Sequence, residues 1–210
     1  MLIAISGSQG SGKSTIIETL IKNNPTYHCV DRKTSRSILS DWGVSLAEVN
    51  ADPALTLRFQ EEILERKVAD DRNAVLSNGI WFTERTPIDL LGYATVQLGA
   101  DNQYSTWLDD YATRCLSVVN NLSLYDHIFF LTAGHFSVSS DGVRGHNQYY
   151  STLVDAAMAK FHTKYVQSHL ITVIDSPDMD ERLNQINNKI LKLTTRQFHK
   201  NDWNIDGKTT

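Results

Sequence analysis

The sequence predicts an α/β fold with a five-stranded parallel sheet, and three observations carry that expectation. Short apolar runs alternate with amphipathic helical stretches along the whole chain. The runs are apolar on both faces, as strands are when helices cover both sides of a sheet. The first run ends in a glycine-rich turn that passes straight into a helix beginning Gly-Lys-Ser-Thr.

That turn is the most specific feature. Residues 1–15 read Met-Leu-Ile-Ala-Ile-Ser-Gly-Ser-Gln-Gly-Ser-Gly-Lys-Ser-Thr, and Gly7, Gly12, Lys13 and Ser14 have the spacing of the loop that holds the phosphates of ATP or GTP. The glycines let backbone amides point inward with no Cβ in the way, which makes a nest for phosphate oxygens. The helix behind the loop offers unpaired N–H groups and the positive end of its dipole. Gly7, Ser8, Gln9, Gly10, Ser11, Gly12, Lys13, Ser14 and Thr15 are therefore the expected nucleotide-binding segment, Lys13 reaching the β- and γ-phosphates and Ser14 holding Mg²⁺. The fold class becomes a P-loop NTPase, a three-layer αβα sandwich. Strand 2–6 is expected to be the first of its domain.

Along the chain, a helix over 13–22 turns Ile16, Ile17, Leu20 and Ile21 to one side and ends at Asn23-Asn24-Pro25. Strand 27–30 follows, with Asp31 at its carboxyl end, where the crevice of an open α/β sheet lies. A short helix over 33–40 precedes a loop from Gly43 to Asp52. Pro53 opens a long helix to Leu76, with Leu55, Phe59, Ile63, Leu64, Val68 and Val75 inward. Glu61, Glu62, Glu65, Arg66, Lys67, Asp70, Asp71 and Arg72 are expected to be solvated. Strand 79–83 closes at Glu84-Arg85-Thr86-Pro87; helices over 88–99 and 102–121 follow, then strand 126–131. The broken, polar segment 133–147 suits a lid. A helix over 148–166, strand 170–174, a turn at Ser176-Pro177-Asp178 and a helix to about Leu193 complete a domain over 1–194. Residues 195–210 are read as a polar tail. Helices 54–76 and 88–122 are expected to wall the acceptor cleft.

At 210 residues the chain suits one domain. A formal charge of −4 gives no general attraction to nucleic acid. Cys29 and Cys115 are too few for a disulfide scaffold and read as small apolar residues. With no leader pattern and no run long enough to span a membrane, the expected location is cytoplasmic and the protein a monomer or homodimer.

Three features bear on chemistry. Glu84-Arg85 ends a core strand: the carboxylate can take a proton from a substrate hydroxyl or hold Mg²⁺ through water, and the arginine can engage phosphate. The alternative is a surface ion pair. Arg144, in the segment Asp141-Gly142-Val143-Arg144, can cover transition-state charge from the lid, or stand solvated in a loop. His135 and His146 flank it and read as surface groups. Asp31-Arg32-Lys33-Thr34-Ser35-Arg36 can bind an anionic acceptor or cap a helix, with Arg36 the leading residue. Asp89 and Tyr93, four apart, share a helix face opening from the Glu84 loop and are further acceptor-binding candidates. Tyr93 could stack on a base or pack in the core.

The phosphate loop, the segment Glu84-Arg85-Thr86-Pro87-Ile88-Asp89-Leu90-Leu91-Gly92-Tyr93 and Asp141-Gly142-Val143-Arg144 together resemble the NadR/Ttd14-type AAA-domain family of small P-loop kinases. The resemblance spans most of residues 1–190. It implies a nucleoside/nucleotide kinase-like fold with a lid, ATP and Mg²⁺ as cofactors, a base or Mg²⁺-organising role for Glu84, phosphate contact by Arg85 and a lid role for Arg144. Many relatives have an acidic residue three before the arginine that is Arg36 here; this chain has Lys33, which fits a more anionic acceptor such as a deoxynucleoside monophosphate.

The leading expectation is thus an ATP-dependent phosphotransferase acting on a small-molecule nucleotide or nucleoside. Nicotinamide riboside is one alternative acceptor. Polynucleotide or hydroxymethylpyrimidine DNA is another, suggested by Lys189, Lys192, Arg196, His199 and Lys200. A non-catalytic nucleotide sensor is the third. No Asn-Lys-x-Asp segment for reading guanine occurs, which disfavours a GTPase, and the turn at 176–178 lies where adenine would rest.

Overall fold

Strands apolar on both faces belong inside the molecule, and the computed structural model, which describes residues 1–30, 34–122, 124–133 and 148–203, places them there. β1 (Leu2–Ser6) is buried throughout and takes the centre of the sheet. It lies between β3 (Ile80–Glu84) and β4 (His127–Leu131), with β2 (Tyr27–Cys29) and β5 (Ile171–Ile174) at the edges. All four pairings are parallel. The order β2-β3-β1-β4-β5 means that the chain leaves β1 towards one edge and leaves β3 towards the other. The crevice created by that reversal opens at the carboxyl ends of β1 and its neighbours.

Strand alternation divides the core into two layers. Ile3, Ile5, Phe82 and Phe129 pack against Ile16 and Leu20 of α1 (Lys13–Asn23) and Ile186 and Ile190 of α8 (Met179–Trp203). On the other face Leu2, Ala4 and Ile128 meet Ala74 of α4 (Pro53–Leu76), Ile88 of α5 (Pro87–Leu98) and Val118 of α6 (Ser105–Asn120). α7 (Gln148–Tyr165) packs beside α5, where a Cβ on Gly92 would lie 2.7 Å from Met158 Cγ. No helix among the described residues is long and apolar enough to cross a membrane.

Four expectations need correction. The segment 43–52 holds a helix, α3 (Leu46–Ala51), started by a capping box in which Ser45 and Glu48 exchange hydrogen bonds. It packs Val49 against Ile38 and Leu39 of α2 (Thr34–Trp42) and Phe59 of α4. α8 continues past Leu193 to Trp203. Val75 is half exposed in the last turn of α4. The most consequential correction concerns Lys67 and Asp71, which are buried instead of solvated. Lys67 Nζ donates to Asp71 Oδ1 and to Thr83 Oγ1 of β3, each at 2.6 Å, and Tyr125 Oη donates to Asp71 Oδ2 at 2.6 Å. The pair lies on the face of α4 turned to the sheet, largely shielded from water. Cys115 is buried as expected, burial pushing its thiol up to about 12, whereas Cys29 is half-buried.

Breaking such a pair leaves a buried charge, so Lys67→Met should lower unfolding stability in urea by about 3 kcal/mol. The double variant Lys67→Met/Asp71→Leu should lose less than the two single losses added. His127 on β4 is also fully buried, with Nε2 2.8 Å from Thr172 Oγ1. Burial, with Lys189 and His169 nearby, pushes its pKa from 6.5 down to about 4. The unfolded chain therefore binds this proton first. Stability should be full above about pH 6.5 and decline towards pH 4, and His127→Gln should flatten that slope in urea unfolding at pH 7 and pH 5.

Candidate functional site

The site begins where β1 stops. Gly7, Gly10 and Gly12 have φ values of 134°, 78° and 87°, a region that side chains strain to adopt. At Gly7 a Cβ would also stand 2.4 Å from the carbonyl oxygen of Leu131. Gly12 caps α1 without a side-chain hydrogen bond, and no acidic residue occupies the first turn. The first amides of α1 thus face the loop as an anion cradle.

Lys13 is buried, its Nζ donating to Ser8 O at 2.6 Å and to Ser11 Oγ at 3.3 Å. Ser14 Oγ donates to Glu84 Oε2 at 3.0 Å, and Lys13 Nζ lies 4.0 Å from Glu84 Oε1. Sheet register explains the meeting: Glu84 of β3 sits opposite Ile5 of β1, at the edge from which the loop springs. Among the described residues no three His, Cys, Asp or Glu side chains converge as a metal site. The Ser14 hydroxyl beside the Glu84 carboxylate nevertheless fits Mg²⁺, an ion that keeps several waters and takes phosphate oxygens as ligands.

Arg85 holds φ at 70°, the left-handed region, at a cost on the order of 1 kcal/mol or more. Its backbone N–H donates to Ile5 O at 2.9 Å and its Nη1 to Gly7 O at 3.3 Å. The guanidinium lies 4.9 Å from the centre of the Tyr93 ring. Burial works against its charge, but Tyr93, Glu84 and Asp89 outweigh that and raise its basicity. The Tyr93 hydroxyl is buried with no hydrogen-bond partner among the described residues.

The structure places Asp89 beneath the loop, out of reach of the cleft. Its Oδ1 accepts from Gly7 N at 2.9 Å and its Oδ2 from Thr86 N at 2.6 Å, while Ser6 Oγ lies 2.7 Å from both oxygens. It is fully buried and saturated, so no oxygen faces an acceptor. Burial alone would raise its pKa; His162, Arg85 and the Gly7 amide overcome this and hold the carboxyl well below the usual range. His162 Nε2 completes the group at 2.7 Å from Ser6 Oγ.

The structure therefore brings together Lys13, Ser14, Glu84 and Arg85, with Tyr93 under Arg85. Arg36 is exposed on α2. Asp31, Lys33, Arg144, both lid histidines and all but residue 133 of the expected lid lie outside the described residues, as do the side chains of Arg196, His199 and Lys200. Two residues at the site escaped sequence reasoning. Asp155 of α7 accepts from Ser8 Oγ at 2.8 Å. Arg182 of α8 is fully buried and donates to Ser11 O at 2.7 Å, to Thr132 O at 3.0 Å and to Ser176 O. Burial lowers its basicity, with Asp175 opposing. Neither residue has a local signal for its tie to the phosphate loop, because Ser8 and Ser11 lie far away in sequence.

A protein-family profile described as an AAA domain matches residues 2–200. No curated protein matches the sequence. Among solved structures, deoxyadenosine kinase from M. mycoides with the products dCMP and a flexible dCDP matches at a TM-score of 0.69 and 18% identity, covering 91% of this chain and 100% of that one. The same kinase with dATP matches at 0.65 and 19%, covering 90% and 99%. NadR in complex with NR matches at 0.65 and 13%, covering 83% of this chain and 45% of that one. At these identities the likeness is one of fold, and the fold is that of P-loop kinases.

Asp89→Asn sets an amide N–H₂ against either the Gly7 or the Thr86 donors, whichever way it turns. It should cost about 2 kcal/mol in urea unfolding and weaken Mg²⁺-ATP binding measured by calorimetry.

Proposed function

Because the chain belongs to the AAA-domain family and has a kinase-like P-loop fold, we propose that it moves the γ-phosphate of ATP, with Mg²⁺, to a nucleoside or nucleoside monophosphate. The convergence of Lys13, Ser14 and Glu84 at the carboxyl ends of β1 and β3 carries this reading. A sensor needs the cradle but no general base. The M. mycoides kinase with its dCMP and dCDP products, and NadR with NR, support an acceptor of the nucleoside class. The basic Arg36 on α2 supports admitting a monophosphate as well.

The acceptor hydroxyl oxygen bonds to the γ-phosphorus as the bond from that phosphorus to the β,γ-bridging oxygen breaks, and ADP departs. Glu84 takes the hydroxyl proton. Lys13 and the loop amides hold the β- and γ-phosphates, and Arg85 faces the charge on the transferring group. Bound Mg²⁺ supplies further neutralisation of phosphate charge, held at Ser14. Arg144 is assigned to the lid over the same charge.

Coupled ADP detection with a panel of nucleosides and nucleoside monophosphates should give acceptor-dependent turnover. Glu84→Gln should lower kcat by about 10²-fold or more while Mg²⁺-ATP affinity stays within about threefold. A panel without acceptor-dependent ADP, or a Glu84→Gln variant with full turnover, would rule this function out.

A further inference from the structure

Arg182 is a cation enclosed by protein near the start of α8. Its three donors reach three backbone carbonyls in three different segments: Ser11 in the phosphate loop, Thr132 just past β4 and Ser176 just past β5. All three segments lie on the carboxyl edge of the sheet, where the crevice opens. A guanidinium is a flat fork with donors at set angles, so satisfying three carbonyls at once imposes a set spacing on them. Desolvating that charge is costly, and each carbonyl contact offsets part of the cost only while it stays in place.

Each segment also has ties of its own. Ser11 Oγ donates to Ser8 O at 3.0 Å within the phosphate loop. Beyond β5, Ser176 Oγ donates to Glu181 Oε2 at 2.6 Å and accepts from Asp178 N at 3.1 Å. Thr132 Oγ1 donates to Asp175. The Ser11 and Ser176 bonds shape their loops individually, and the Thr132–Asp175 bond joins the ends of β4 and β5. Arg182 ties the phosphate loop directly to the turn at 176–178.

We propose that Arg182 is a positioning residue for the phosphate donor, holding the phosphate loop and the 176–178 turn in one fixed relation so that a single nucleoside triphosphate can engage both. The inference rests on the nucleotide-binding reading above, with phosphates in the loop and the base against the turn. A ligand whose two ends are covalently joined gains from two subsites at a matched distance and loses when that distance drifts. Arg182 therefore contributes to recognition of nucleotide as a unit, whereas the loop alone recognises phosphates. Lysine at this position keeps the charge but has a single ammonium group, which cannot span the three carbonyls in the same plane.

Calorimetric titration with Mg²⁺-ATP and with Mg²⁺-tripolyphosphate, which has the phosphates and no nucleoside, separates the two contributions. Arg182→Lys should lose about tenfold in ATP affinity while tripolyphosphate changes by less than about threefold. Equal losses for both ligands, or unchanged ATP affinity, would overturn the positioning role while leaving the kinase reading intact. A second measurement needs no variant: in the native chain, tripolyphosphate should slow amide hydrogen exchange at Asp175, Ser176 and Asp178, which it cannot touch. Unchanged exchange there overturns the proposal even if Arg182→Lys fails to fold. A native chain that binds neither ligand removes the nucleotide reading and this inference together.

Discussion

A carboxylate shut away from water governs the geometry of the site. Asp89 bonds the Gly7 amide with one oxygen and the Thr86 amide with the other. One residue thereby joins the start of the phosphate loop to the turn that follows Glu84. An ionised side chain is stable in such a place only when every lone pair is occupied. The Ser6 and Thr86 hydroxyls complete that occupancy, and His162 in turn holds Ser6. The loop and the carboxylate of β3 are consequently held to each other through the core as well as across the sheet.

The same logic extends one residue upstream. Thr83 is gripped by Lys67 and Asp71 on one side of the Glu84-Arg85 pair, and Thr86 is gripped by Asp89 on the other. Between these anchors Arg85 keeps a backbone angle that an unconstrained arginine would leave. Strain persists where the surroundings overdetermine it. Buried Lys67, Asp71, Thr83, Thr86 and Asp89 thus bracket the residue whose backbone conformation is strained.

Much of this was legible in advance, and the remainder was hidden for definable reasons. The glycine spacing, the apolar strands and the carboxylate ending β3 are local patterns, and local patterns survive in a one-dimensional string. Lys67 and Asp71 have the i,i+4 spacing of an ordinary exposed pair. Only the packing of α4 onto Thr83 and Tyr125 turns them inward. The Thr86–Asp89 capping box can be read from sequence, but its reach to Gly7 depends on how β1 lies beside β3. Arg182 and Ser11 are 171 residues apart, and no periodicity links them. The Ser45–Glu48 box that starts α3 was readable too, but the flanking Gly43 and Asp52 suggested a loop.

The arm formed by α2, α3 and the first turns of α4 has its own small core of Ile38, Leu39, Val49 and Phe59, separate from the two layers that flank the sheet. It borders the α5–α6 layer through Ile63, which packs against both. Substitutions within the arm's own small core can thus accumulate residue by residue while the phosphate loop and the buried groups that brace it pass unaltered from ancestor to descendant.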